Sequence, residues 1–249
     1  MSFSFPKIDT AIYTVEVPST KQQIKIRQFK VKENKLLIMA LQSDNIDDIS
    51  DTSKQIINNC ILEENFDVDS LTTFDVEYLL LQLRIKSVGD TTILKFSGRD
   101  KQFTDCPECQ KHKEITVDLK EAEIVFNENH KDKFLIDESR GIGIKMKYPK
   151  LGLLRDVNRA RGTNDVDVLF SVIWNCIEYI YDGEAVYPTE DGTIKSGIEW
   201  LESLEAEQFD KIDEFFETMP TLKMVVNIDC PLCKHHSEYK VEGLESFFV

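Results

Sequence analysis

Apolar and polar positions alternate twice at the start of this chain, over residues 11–17 and 23–29, with Pro18-Ser19-Thr20-Lys21 between the two runs. A period of two broken by a Pro-containing turn predicts a β-hairpin. The period then lengthens. Val31, Leu36, Leu37, Ala40 and Leu41 fall on one side of a helix over residues 31–41. Residues 44–51 read as an acidic break, and a second helix from about Ser53 buries Ile56, Ile57, Cys60 and Ile61. Residues 69–73 offer several N-caps for a third helix, with Thr72 and Asp75 at capping-box spacing. That helix carries Phe74, Leu79, Leu80, Leu81, Leu83 and Ile85, apolar almost all round, and is therefore predicted to be central. A strand over residues 92–96 follows.

From residue 121 to 133 the chain is charged, and the division between two halves, 1–138 and 139–249, is placed by this stretch. Gly141-Ile142-Gly143-Ile144 lacks the third glycine of a dinucleotide loop and reads as a turn before a strand over 142–148. Residues 150–161 are basic with helical spacing. Residues 166–181 read as a buried helix ended by Gly183, and 184–192 as a loop. An acidic helical segment, 199–219, turns Trp200, Leu201, Leu204, Phe209, Ile212, Phe215 and Phe216 inward and is closed by Pro220. A strand over 222–228 comes next.

The landmarks of the two halves keep one order: strand, Pro18 or Pro149, helices, Asn59-Cys60-Ile61 or Asn175-Cys176-Ile177, then a strand and a cysteine knuckle. The expected fold is α+β, two diverged α/β pseudo-repeats joined by a shared zinc-ribbon-like site of four cysteines. The knuckles are Cys106-Pro107-Glu108-Cys109 and Cys230-Pro231-Leu232-Cys233, each followed by a basic, His-containing turn and an alternating strand. Two thiolates three positions apart on a tight turn share one tetrahedral ion, and two such turns complete a closed four-sulfur shell for structural Zn2+. A redox pair and two disulfides are the alternatives. The first wants a helix after the cysteines, and the second suits a secreted chain. His112, His235 and His236 sit beside the presumed thiolates and are read as non-ligands. Cys60 and Cys176 lie among isoleucines and read as core.

Charge narrows the function. With 45 Asp and Glu against 30 Lys and Arg, the net charge is −15, which disfavours phosphate backbones as partners and makes a zinc-ribbon nucleic-acid binder the least favoured reading. Met-Ser-Phe-Ser-Phe-Pro has neither a basic start nor a continuous apolar run, so no signal peptide is expected. The most apolar helix, 166–180, is interrupted by Asp167, Ser171, Asn175 and Glu178 and too short to cross a bilayer, so a cytosolic setting is expected. Acidic pairs on helices read as solvated faces, and no nucleophile has a partnered base, so no enzymatic centre is expected.

The second half carries a more specific pattern. Cys176 to Gly183, Phe209-Asp210-Lys211-Ile212, Phe215-Phe216-Glu217-Thr218-Met219-Pro220, the second knuckle and Gly243-Leu244-Glu245-Ser246-Phe247-Phe248 come in a familiar order. In that order the chain resembles the baseplate proteins of T-even-type contractile-tailed phages, in particular the small acidic proteins of baseplate hub assembly, and its length and first half resemble the hub assembly catalyst of that group. The resemblance implies a late, non-enzymatic helper of hub formation in the host cytoplasm, with hub proteins as partners. A minor hub subunit retained in the virion is the alternative. The partner surface is expected at Glu202, Glu205, Asp213 and Glu217 and at Phe247 and Phe248 of the tail.

Overall fold

A computed structural model describes residues 9–42, 46–96, 113–153, 165–229 and 236–242. The opening alternation forms β1 (Ile12–Glu16) and β2 (Gln23–Arg27), antiparallel with Glu16 opposite Gln23. Their inner residues Val15, Ile24 and Ile26 lie under α1 (Val31–Gln42), α2 (Ile46–Cys60) and α3 (Thr73–Ser87), against Leu37, Ile56, Ile57, Leu79, Leu80 and Leu83. α2 begins earlier than its apolar spacing suggests: Ile46 to Asp51, read as a break, is its first part. Beyond Cys60 the chain turns back, and Ile61 forms an antiparallel bridge with Ile26 of β2.

The N-terminus of α3 has the capping box its sequence announces. The Asp75 carboxylate accepts from the Thr72 N–H at 3.1 Å, and the Thr72 hydroxyl accepts from the Asp75 N–H at 3.3 Å. α3 is buried on two sides. Leu79, Leu80 and Leu83 serve the first core, while Leu81 and Ile85 meet Val117, Leu222, Met224, Val226 and Val241 in a second. That second core rests on β3 (Thr91–Phe96) paired with β4 (Lys113–Asp118), and on a three-stranded antiparallel sheet. β5 (Glu123–Val125) lies inside the charged stretch and pairs with β10 (Thr221–Asp229), Leu222 opposite Ile124, and β11 is His236–Glu242. Charge alternation hid a short strand whose partner lies almost a hundred residues away.

The third core lies under a four-stranded antiparallel sheet ordered β6-β7-β8-β9: β6 (Lys133–Asp137), β7 (Ile142–Met146), β8 (Ile177–Asp182) and β9 (Ala185–Pro188). Here the expected long helix is corrected. α4 (Asp165–Cys176) stops at Cys176, and Ile177 to Asp182 is a strand, with Ile177 opposite Met146 of β7. Ile177, Tyr179 and Tyr181 alternate and favour a pleat. Asp182-Gly183 opens a two-residue hairpin loop, with Gly183 at φ +60°, into β9, where a loop was expected. The acidic segment is two helices, α5 (Ile194–Glu202) and α6 (Ala206–Glu217). Leu201, Ile212 and Phe215 are buried from them against Ile144, Ile173, Trp174 and Ile177.

Contacts cross between the halves in several places. Phe74 packs edge-on against Tyr148 at 5.3 Å, the Leu151 N–H donates to the Leu71 carbonyl at 2.9 Å, and β5 joins β10. Among the described residues no helix is long and apolar enough to cross a membrane.

Candidate functional site

Both cysteine knuckles connect the strands of a hairpin. β3 and β4 pair to the end, Phe96 opposite Lys113, and residues 97–112 join them. β10 and β11 pair from Lys223↔Glu242 to Asp229↔His236, and residues 230–235 join them. Cys106, Cys109, Cys230 and Cys233 lie in these joining segments, outside the described residues, as do His112 and His235. The stems themselves stand on one core, since Val117 of β4 shares a cluster with Met224 and Val226 of β10, Val241 of β11 and Leu81 and Ile85 of α3. His236 is exposed at the start of β11. Among the described residues no group of three or more His, Cys, Asp or Glu is placed to hold a metal ion.

The two remaining cysteines are core residues. Cys60 ends α2 and Cys176 ends α4, both fully buried, and burial pushes their thiols up to about 11 and about 12. Thiols held so far above neutrality stay protonated and unreactive.

The acidic partner residues fall on α5 and α6. Glu202, Glu205, Asp213 and Glu217 are exposed. Glu205 is the N-cap of α6, its N–H donating to the Gln208 side chain at 3.0 Å. The Asp213 carboxyl sits above its ordinary value, first through desolvation and then through repulsion by Asp210 and Glu217. A carboxylate crowded by its own kind gains most from an arriving cation. Phe247 and Phe248 lie outside the described residues.

Two constellations escape a reading by sequence. Asp75, fully buried, accepts from the Ser19 N–H at 2.8 Å and the Ser19 hydroxyl at 2.5 Å as well as from the Thr72 N–H and hydroxyl, so it fastens the β1–β2 turn to α3. His130, without a visible partner in the sequence, stacks on Tyr148 at 5.5 Å and lies 5.0 Å from Phe215. The Thr218 hydroxyl donates to the Glu214 carbonyl at 2.6 Å and therefore accepts from His130 Nδ1–H at 2.9 Å. That leaves Nε2 buried with no partner among the described residues, and burial lowers the His130 pKa. Only the separation of 88 residues between His130 and Thr218 hides this pair from the sequence.

Residues 10–249 match the family described as T4 bacteriophage base plate protein. No curated protein and no solved structure matches the chain.

Proposed function

The chain belongs to the T4 bacteriophage base plate protein family, and from that premise we propose that it is a non-enzymatic helper in assembly of the baseplate hub. Family membership, covering nearly the whole chain, carries the baseplate role and an association with other baseplate proteins. The helper reading is supported by the exposed acidic face of α5 and α6. Glu202, Glu205, Asp213 and Glu217 offer a basic partner fast, salt-sensitive encounter without a large apolar interface that would hold it permanently. The test compares purified tails with infected-cell lysate by quantitative mass spectrometry, alongside a variant with these four charges reversed. A helper is abundant in lysate and absent from tails, and its charge-reversed variant slows hub formation most at low salt. Fixed stoichiometry in mature tails would instead make it a structural hub subunit.

A structural zinc ion belongs to the same proposal, bound by Cys106, Cys109, Cys230 and Cys233. Its support is that both knuckles grow from hairpins seated on one core, which tethers two pairs of thiols to a common platform. The ion would tie the two hairpins together and add its binding free energy to folding. Elemental analysis should find one zinc per chain, and Cys230→Ser should lose it and lower thermal stability. A metal-free protein with full stability would exclude the site.

The halves are read as diverged copies. The support is local: α2 and α4 both end at a cysteine followed by an isoleucine, Ile61 meets Ile26 of β2, Ile177 meets Met146 of β7, and each half runs on to a knuckle hairpin. Failure of residues 9–120 and 141–243 to superpose in an experimental structure would refute the copy reading.

A further inference from the structure

Among the described residues β6 is the terminal strand of its sheet, paired with β7 and with no strand on its other side. That edge faces α6, whose Lys211 Nζ donates to the Leu135 carbonyl at 3.0 Å and would release it to an arriving strand. Between strand edge and helix lies a cavity of about 790 Å³ whose lining includes Phe134, Phe215, Lys131, Lys133 and Lys211. Its size falls in the range of ligand-binding clefts.

Three lysines against two carboxylates, Glu138 and Glu214, line this groove, a basic balance in an otherwise acidic molecule. In a chain with 45 acids to 30 bases, lysines readily find carboxylates, as Lys54 does with Asp69, Lys120 with Asp90 and Lys145 with Asp132. Lys131 and Lys133 form no ion pair among the described residues, and Lys211 has only a long, exposed contact of 3.8 Å with Glu138. Lys133 is instead held over the rings of Tyr181 at 4.7 Å and Tyr179 at 5.8 Å. Gly143 makes this possible. A Cβ there would strike the Tyr181 ring and come within 2.6 Å of the Phe134 carbonyl, so only glycine lets Tyr181 lie across β7 towards β6. Two lysines two positions apart along the chain entering β6 match carboxylates at alternate positions of an extended peptide, about 6–7 Å apart.

We propose that the groove between β6 and α6 binds an extended acidic segment of a partner protein, which adds as a fifth strand beside β6 with alternate carboxylates on Lys131, Lys133 and Lys211. Main-chain hydrogen bonds to the open edge supply binding that any sequence could use, and the lysines select for acid. The groove is lined by none of Glu202, Glu205, Asp213 and Glu217, selects a partner of the opposite charge, and stands independently of the hub-helper reading.

The experiment titrates the ¹⁵N-labelled full chain with blocked heptapeptides and follows its amide resonances. The probes are an alternating Glu-Val peptide, its Lys-Val counterpart, the Glu-Val peptide with every second amide N-methylated, and a short oligothymidylate. The Glu-Val peptide should shift the Lys133 and Leu135 amides, and the Lys-Val and N-methylated peptides should bind at least about tenfold more weakly. Lys131→Glu with Lys133→Glu should abolish the response while leaving the remaining spectrum folded, and reversing Glu202 and Glu205 should leave it unchanged. No shift at millimolar Glu-Val peptide, or an equal response to the N-methylated one, overturns strand addition. A stronger response to oligothymidylate overturns it in favour of a phosphate site.

Discussion

Gly197 sits in the middle of α5, where helix propensity alone favours replacement by alanine by about 1 kcal/mol. Packing says the opposite. A Cβ at Gly197 would fall on Cδ2 and Cε2 of Trp174 and 2.5 Å from its Cγ. Carbon atoms in contact settle near 3.5–4.0 Å, so the indole must retreat by about 1 Å or more. Trp174 is buried and has Gly192 and Trp200 as further neighbours, the two indoles 6.3 Å apart. Overpacking of this kind costs about 1–3 kcal/mol, and with the propensity gain subtracted Gly197→Ala should be destabilising by up to about 2 kcal/mol, instead of stabilising by about 1 kcal/mol. For a chain of this size that lowers Tm by up to roughly 8 °C. Calorimetry reads the shift, and fluorescence reports the cause, because Trp174 and Trp200 are the two tryptophans of the chain. In a Trp174→Ala background the same substitution should become neutral or stabilising. A raised Tm for Gly197→Ala in the natural background would refute the packing argument.

Three further outcomes follow from the geometry. Asp75→Ala strips the acceptor from Ser19 and Thr72 and should cost about 3 kcal/mol by urea denaturation, with Asp75→Asn milder; equal stability would mean the turn is held elsewhere. Burial, partly offset by Asp132, lowers the His130 pKa below its ordinary 6.5, so the unfolded chain binds the proton better. Stability from this group is complete above about pH 6.5 and is lost as pH falls through the folded value; His130→Phe should flatten the urea midpoint between pH 7 and 5, and parallel profiles would count against it. Cys60 and Cys176, with thiols pushed up to about 11 and about 12, should resist iodoacetamide at pH 8 in the folded protein and react on denaturation, as peptide mapping would show; rapid native labelling would contradict their burial.

Much of the local structure was determined by the sequence. Period two at the start of the chain forms β1 and β2, and capping-box spacing at Thr72 and Asp75 starts α3. The all-round apolar surface of α3 put it between two cores, because a helix without a polar face has no side to turn to water. The same logic made Cys60 and Cys176 core residues and exposed the acids of α5 and α6. What the tertiary structure decided are the long-range pairings. Ile177 to Asp182 could continue a helix or become a strand on local evidence, and only the open edge of β7 settles it, with Met146 opposite Ile177. β5 exists because β10 lies beside it, and three residues of mixed charge carry no periodicity of their own. Lys131 and Lys133 look like ordinary surface lysines until the fold leaves the outer edge of β6 without a strand among the described residues and Gly143 admits the Tyr181 ring. Periodicity reports which face of an element is buried, but not which distant element buries it, and hydrogen bonds between strands carry no mark in either sequence.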